Sequence, residues 1–221
     1  MELLNQTIKS YLEAVDSKMP APGGGSASAL TGSVGVALGR MVGHLTIDRK
    51  QFRQLDEETK QMYINNFALL KKIRLTLMEC IQKNPKAFTV LLEAFKLPKD
   101  TEEEIEYRKK AIKDATEKAI TVPMNTAKLS IKALKLIKEM MPFSHKHAIS
   151  DIGISALLLS TAVESSILNI KINLVNLLDE DKKAEYHEQI KALESTVSSL
   201  KKDILKFVEG SICQNCKKQS S

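Results

Sequence analysis

A run of small residues near the amino end of the chain limits how its neighbours can pack. Three glycines at positions 23–25 precede Ser26, and glycine, alanine and serine then recur as far as Gly43. Glycine permits backbone torsions closed to other residues and serine is a favoured helix N-cap, so the pattern predicts a loop that opens into a helix at Ser26. Each internal glycine costs about 1 kcal/mol against alanine, which indicates close helix contacts. This helix should lie at the centre of a bundle or at a subunit interface.

The glycine loop matches neither of the common nucleotide-binding signatures. No predicted strand precedes it, no Gly-Lys-Ser/Thr follows it, and there is no Gly-x-Gly-x-x-Gly from Gly23. The first amides of a helix can still bind an anion, and glycine lets a ligand approach the backbone. Two interpretations remain open, a ligand site and a tight turn before a closely packed helix, and the turn is the more common one.

Hydrophobic periodicity predicts an all-α, up-and-down bundle of long antiparallel helices. Apolar residues recur every three or four positions in seven segments, and no strand-like segment or internal repeat is present. At 221 residues, the chain is predicted to form a single domain, residues 1–221. Pro85 is expected to start a new helix, and at Pro123 a kink and a break are equally compatible with the sequence. The predicted helices cover residues 3–15, 26–47, 56–84, 85–95, 101–141, 152–178 and 186–207.

The charge and the cysteine content indicate which binding partners and which cellular compartment to expect. Lys and Arg number 33 against 27 Asp and Glu, a net charge of +6 that is dispersed along the chain, so nucleic acid is not a favoured partner. The 21 residues from Met19 to Gly39 carry no charge but are too rich in Gly, Ser and Pro for a membrane span. Three cysteines and no signal-peptide pattern predict a reducing cytoplasm. Cys213 and Cys216 form half a zinc motif at most, and a frayed tail is the favoured interpretation.

The apolar helix predicted from Ile152 carries the most informative polar residues. Ser150 and Asp151 precede it and are predicted to cap it. Asn169 and Asn173 lie four residues apart, on successive turns. The Asp151 carboxylate is either a cap alone or also faces a cavity bounded by the two asparagines. His145 and His147 are expected to be solvated loop residues, and no metal-binding motif is complete.

Several of these segments together resemble the cyclodeaminase/cyclohydrolase family. They are PAPGGGSASAL at 20–30, LTIDRK at 45–50, Val122-Pro123, SDIGISA at 150–156 and LNIKINL at 168–174. The family includes the cyclodeaminase domain of formiminotransferase-cyclodeaminase and stand-alone methenyltetrahydrofolate cyclohydrolases. The resemblance begins near the amino end, so any cyclodeaminase activity is expected to need a formiminotransferase on another chain.

The resemblance implies a homodimer of all-helical subunits, with the small-residue helix near the interface and a folate derivative as substrate, without a separate cofactor. It implies that the site is formed by Gly23, Gly24, Gly25, Ser26, Asp151, Asn169 and Asn173. All of these except Asp151, together with Ser150, are expected to bind the substrate. Asp151 is the expected catalytic group, as a stabiliser of the cationic carbon or a carrier of protons. Arg49 and Lys50 are expected to meet the anionic glutamate tail of the folate.

The activity expected from the resemblance is formimidoyltetrahydrofolate cyclodeamination or methenyltetrahydrofolate hydrolysis. Both reactions pass through a tetrahedral carbon and involve a cationic amidinium, so one carboxylate with polar neighbours can serve either. The chain departs from the family pattern at Asp48, where glycine is common, and at Asn84, where an acidic residue precedes the Ala-Phe pair. These departures motivate the alternative of a non-catalytic folate-binding or scaffold protein of the same fold.

Overall fold

A computed structural model describes the backbone of residues 2–219 and the side chains of residues 2–213. Seven α-helices and no strand occur in this part of the chain, which confirms the all-α prediction. Short 3₁₀ turns at Leu3–Asn5, Met141–Phe143 and Lys146–Ala148 supplement them. The helices are α1 (Ile8–Val15), α2 (Gly24–Ile47), α3 (Lys50–Arg53), α4 (Glu57–Phe95), α5 (Glu102–Met140), α6 (Ile149–Leu174) and α7 (Glu180–Gln219).

Four long helices form an up-and-down bundle, as predicted. Going around the bundle, α2 packs on α4, α4 on α5, α5 on α6, and α6 back on α2, while α7 lies outside against α6 and α5. Short connections make consecutive helices antiparallel. The two ends of the bundle therefore collect different loops: the start of α2 and the end of α6 lie at one end, and the start of α6 and the end of α2 lie at the other.

The internal glycines of α2 allow its backbone to touch α6, as the sequence predicts. A Cβ atom at Gly35 would lie 2.9 Å from Cγ of Leu159, and one at Gly39 would lie 3.0 Å from Oγ of Ser155. The Ser155 hydroxyl donates a hydrogen bond of 2.6 Å to the carbonyl of Gly35 across this contact. The α2–α6 contact is thus the tight centre of the bundle.

Both internal prolines lie within continuous helices, so the prediction of a new helix at Pro85 is wrong and the open question at Pro123 is resolved. Each proline lacks the N–H that would bond to the carbonyl four residues earlier. The Ser26 hydroxyl donates to the carbonyl of Ile81, at 2.9 Å, and the Asn173 side-chain amide donates to the carbonyl of Ala119, at 3.2 Å. These are the two carbonyls that Pro85 and Pro123 leave free, and side chains from neighbouring helices bond to both.

The outer surface of α2 and α6 is apolar and nearly uncharged. We call it the α2–α6 face; it comprises Val34, Met41 and Leu45 of α2 with Ile154, Leu157, Leu168 and Ile172 of α6, all exposed. Their spacings of 7 and 4 residues in α2, and of 3, 11 and 4 residues in α6, are close to whole helical turns and place each set on one side of its helix. In the described part of the chain, residues 146–174 are the one stretch long and apolar enough to cross a membrane, and 56% of its most apolar window is buried in the bundle, as in a core helix.

The last helix follows its predicted heptad seam. Ile190, Val197 and Ile204 are buried against α6 and α5, and ion pairs join Lys171 to Glu194 and Glu164 to Lys201. The helix continues to Gln219, so Cys213 is an exposed helical residue rather than part of an irregular tail. The side chain of Cys216 lies outside the described residues.

Candidate functional site

The predicted site residues fall into two groups at opposite ends of the α2–α6 pair. The first group, which we call the glycine end, contains Gly23, Gly24, Gly25, Ser26, Asn169 and Asn173. The second, which we call the basic end, contains Arg49, Lys50, Ser150 and Asp151. Asp151 and Asn169 are 18 residues apart on one continuous helix, which separates them by about 27 Å. Within one subunit, this distance excludes the alternative in which the Asp151 carboxylate faces a cavity bounded by the two asparagines.

At the glycine end, carboxamides lie directly on the glycine backbone. A Cβ atom at Gly25 would overlap the carboxamide of Asn84, and one at Gly24 would lie 3.5 Å from Nδ2 of Asn169. Only glycine at position 25 leaves room for this carboxamide. The Asn84 side chain forms no hydrogen bond with any described protein group, so its donor and acceptor atoms are free for a ligand.

Ser26 contributes to the packing of the glycine end and does not cap the helix. The helix begins at Gly24 with Gly23 as its N-cap, so the predicted cap at Ser26 is wrong. Ser26 is fully buried; its hydroxyl donates to Ile81, so the 3.1 Å bond that it shares with the Tyr11 hydroxyl must be donated by Tyr11. Because its one proton is committed, Ser26 positions the loop against α1 and α4.

The two asparagines of α6 are held through their amide nitrogens. Nδ2 of Asn173 donates to the carbonyls of Ala119 and Asn169, and Nδ2 of Asn169 donates to the carbonyl of Ser165 at 3.0 Å. No described group donates to either Oδ1 atom. With both nitrogens engaged, each carboxamide presents an acceptor, and the glycine end can recognise an uncharged ring that carries N–H groups.

The basic end does not have the cap that the sequence predicts. Helix α6 begins at Ile149 with Ala148 as N-cap and no side-chain cap, because a 3₁₀ turn at Lys146–Ala148 leads directly into it. Ser150 and Asp151 therefore lie in the first turn. Asp151 is half-buried, and its carboxylate forms no hydrogen bond or ion pair with the described residues. Its carboxylate thus lies near the positive end of the helix dipole.

A cavity of about 400 Å³ adjoins this end of the bundle. Its lining includes four basic side chains, Arg49, His145, Lys146 and His147, and no acidic one. The backbone N–H of His145 donates to the Thr46 hydroxyl at 2.9 Å, which fixes the loop to the end of α2. Burial and the nearby charges of Arg49 and His147 lower the pKa of His145. The cavity is suited to carboxylate or other anionic groups.

Arg49 and Lys50 lie beside this cavity as exposed residues, Arg49 at the start of α3 and Lys50 as its first residue. Neither forms an ion pair with a described residue. His145 lies in the cavity wall, half-buried, rather than in a solvated loop. The sequence analysis did not predict that His145 and Lys146 line a cavity, although the sequence His-Lys-His beside a helix start was a visible signal. Asn84 was recognised only as a departure from the family pattern, not as a group over Gly25.

Within the described residues, no three His, Cys, Asp or Glu side chains come close enough together to hold a metal ion. The groups available for chemistry are therefore the free carboxylate of Asp151, the cations around the basic cavity and the carboxamides of the glycine end. This combination can bind a neutral ring and anionic groups and can transfer a proton. The two ends do not act on one atom within a single subunit.

Comparison with known proteins places these observations in a family. The family model for formiminotransferase-cyclodeaminase matches residues 7–192. The methenyltetrahydrofolate cyclohydrolase of Methylorubrum extorquens is 31% identical over 194 residues, which cover 88% of this chain and 90% of that protein. The formimidoyltransferase-cyclodeaminase of Mus musculus is 30% identical over 191 residues, 86% of this chain but 35% of that protein. The chain thus spans about a third of the length of that bifunctional relative.

The fold also matches a solved structure. The crystal structure of a formiminotetrahydrofolate cyclodeaminase from Thermotoga maritima superimposes with a TM-score of 0.82 and covers 94% of this chain and 98% of that one. At 22% identity, this likeness concerns the fold.

Proposed function

Because this chain belongs to the formiminotransferase-cyclodeaminase family, we propose that it is a folate-dependent one-carbon enzyme, either a formimidoyltetrahydrofolate cyclodeaminase or a methenyltetrahydrofolate cyclohydrolase. The observation that carries this proposal is the match to the Methylorubrum extorquens cyclohydrolase, since it extends over nearly the whole of both proteins. The substrate is a tetrahydrofolate derivative, with no separate cofactor.

The two reactions need the same kinds of groups at the reacting carbon. In cyclodeamination, a second nitrogen of the folate attacks the formimino carbon and forms a carbon–nitrogen bond, and the bond from that carbon to the protonated amino group breaks, which releases ammonia. In hydrolysis, water adds to the methenyl carbon and loses a proton, and a ring nitrogen accepts one as its bond to carbon breaks. Each path carries a cationic amidinium and moves a proton, and the free carboxylate of Asp151 is the group that can do both.

The glutamate tail of the folate is assigned to the basic end. Arg49 and Lys50 are cations without an acidic partner among the described residues, and the adjoining cavity has no acidic lining. Replacing Arg49 with alanine should raise the KM for a polyglutamylated substrate more than it raises the KM for the monoglutamate. Equal KM values for wild type and variant with the polyglutamate would contradict this assignment.

The assay follows the absorbance of methenyltetrahydrofolate with the purified protein. Loss of the signal faster than in buffer, when the methenyl compound is supplied, identifies a cyclohydrolase. Appearance of the signal from formiminotetrahydrofolate identifies a cyclodeaminase. A protein that shows neither change would refute the catalytic proposal.

A non-catalytic folate-binding protein is the second candidate, and one feature of the glycine end favours it. The groups that surround Gly24 and Gly25 there, Asn84 and Asn169, are carboxamides, which neither donate nor accept a proton at neutral pH. Folate binding by calorimetry in the absence of turnover would support this alternative.

The α2–α6 face supports a homodimer. The face consists of seven exposed apolar side chains, and exposed apolar surfaces of this kind mark protein interfaces. Helix α2 has 24 residues, so a face about 36 Å long and two helices wide offers roughly 700 Å² per subunit. This is close to the area of about 800 Å² per partner in stable complexes. Sedimentation analysis of the wild type and of Leu157→Glu tests it; a dimer with the wild type and a monomer with the variant are expected.

A further inference from the structure

A cavity of about 310 Å³, which we call the α1 cavity, lies between the amino-terminal helix and the α2–α4 pair. None of the predicted substrate-binding or catalytic residues lines it. Most of its lining is apolar and includes Leu12 of α1, Leu30 and Val34 of α2, and Met78 and Ile81 of α4. Cavities of this size with an apolar lining and few polar groups are typical of small-molecule sites. The α1 cavity is therefore a candidate site for a second ligand, distinct from the folate.

In the described part of the chain, Arg74 is the one charged residue that lines the α1 cavity. Its Nη1 atom donates to Sδ of Met78 at 3.7 Å, and Met78 lines the same cavity. A thioether sulfur is a weak acceptor. Arg74 forms no other hydrogen bond and no ion pair with a described group, so most of its guanidinium donors are available to a ligand in the cavity.

Arg40 adds a second positive charge near Arg74. Its Nη1 atom donates to the carbonyl of Phe67, and its guanidinium carbon lies 3.9 Å from the centre of the Phe67 ring. Burial and the nearby charge of Arg74 lower the pKa of Arg40. No described carboxylate forms an ion pair with Arg40 either. Because the two like charges repel each other, an anion at Arg74 is attracted by both.

The positive charge lies at one end of the α1 cavity. Arg74 and Ile81 both line the cavity, and their positions on α4 place them about 10 Å apart along the helix. The lining at the Ile81 end is apolar and includes Leu30 and Tyr11. A ligand that matches both ends has a negatively charged head and an apolar chain. The glutamate tail of a folate is polar along its length and does not meet this requirement.

We propose that the α1 cavity binds an aliphatic carboxylate, with its head on Arg74 and its chain along Met78 towards Ile81. A planar guanidinium matches a carboxylate through two parallel hydrogen bonds. A single lining arginine suits a head with a single negative charge. The chain gains affinity from the apolar surface that it removes from water. This site is independent of the proposed function.

Equilibrium dialysis with radiolabelled hexanoate, octanoate and decanoate tests the apolar part of the site, at concentrations below micelle formation. One ligand should bind per subunit, and each addition of two CH₂ groups should lower the Kd about fifteenfold. An affinity that does not change with chain length would overturn the proposal. So would the absence of decanoate binding, which is the result expected if a second copy or another protein covers the cavity.

Three variants test the head group and the location, with 1-octanol as the uncharged counterpart of octanoate. Arg74→Gln should weaken octanoate binding about tenfold or more and leave 1-octanol binding unchanged, which shows that the cavity is intact. Ala37→Phe, at an exposed residue of the cavity wall, should block both ligands. Arg53→Gln, which removes an exposed arginine outside the cavity, is the matched control and should change neither. Octanoate binding that survives Arg74→Gln or Ala37→Phe, or an equal loss of both ligands in Arg74→Gln, would overturn the proposal.

Discussion

Ser26 should stabilise the fold because Pro85 leaves a carbonyl without its helical donor. Replacing Ser26 with alanine leaves the carbonyl of Ile81 unpaired and the Tyr11 hydroxyl without its acceptor. A buried polar group that loses its partner costs about 1–3 kcal/mol, so the free energy of unfolding should fall by about 2 kcal/mol. With an m-value of about 2 kcal/mol/M, the urea midpoint should fall by about 1 M.

A double-mutant cycle separates this explanation from a general loss of packing. In a Pro85→Ala background, the new N–H at position 85 can donate to Ile81 in the ordinary helical pattern. Ser26→Ala should then cost less, by about 1 kcal/mol or more, which is the coupling between the two positions. The measurement is urea unfolding followed by circular dichroism, at one fixed protein concentration for all variants because a dimer's stability depends on it.

Thr89→Ala is the matched control for the cycle. The Thr89 hydroxyl also donates to a backbone carbonyl of α4, that of Pro85, but it is exposed and that carbonyl is within reach of the ordinary helical donor. Its removal should change the unfolding free energy by less than about 0.5 kcal/mol. An equal cost of Ser26→Ala in the proline and alanine backgrounds would refute the idea that Ser26 replaces the missing N–H.

Three further predictions concern the site and its surroundings. Asp151→Asn should lower turnover about a hundredfold in the absorbance assay, with Glu164→Gln on the same helix as an active control; near-normal turnover would exclude a proton-transfer role. Gly25→Ala should lower the free energy of unfolding in urea by about 1–3 kcal/mol. Gly210→Ala is the control and should be neutral or stabilising, because a Cβ atom there meets nothing within 4 Å. Equal changes in stability for the two variants would refute the close contact between Gly25 and Asn84. Burial, a nearby arginine and a neighbouring histidine lower the pKa of His145, so the unfolded chain binds this proton more readily and the free energy of unfolding should fall as the pH drops below about 6.5. His145→Asn should reduce this fall in urea midpoints measured from pH 7 to 5. The same pH dependence of the midpoint in wild type and variant would contradict the assignment.

The sequence predicted the helices well because their apolar periodicity is strong, and it predicted the close packing of α2 from glycines such as Gly35 and Gly39. It could not decide between kink and break at Pro123, because the deciding donor, Asn173, lies 50 residues away in the chain. The prediction of a new helix at Pro85 failed for the same reason, because the donor that replaces its missing N–H, the Ser26 hydroxyl, lies far away in the chain. These outcomes depend on tertiary hydrogen bonds that no local pattern contains.

The candidate site was predicted less completely. The contact of Gly24 with Asn169 joins residues from the first and last quarters of the chain and needs the folded bundle. The separation of Asp151 from Asn169, in contrast, could have been derived from the sequence, because a helix that was already predicted to include both regions fixes their distance by its rise per residue. The caps were misplaced by two or three residues, since Gly23 and Ala148 occupy those positions without a side-chain bond.

The bonds to the two proline-freed carbonyls also determine the alignment of the helices during folding. A helix bundle with aliphatic contacts can slide by one turn, about 5.4 Å, at little loss of apolar burial. Here a shift of α4 against α2 would leave the carbonyl of Ile81 unpaired, and a shift of α6 against α5 would leave that of Ala119 unpaired. Each misaligned state therefore carries the penalty of a buried acceptor. Pro85 and Pro123 thus make the correct alignment distinguishable from its nearest competitors, and both do so at the end of the bundle where the glycine loop lies.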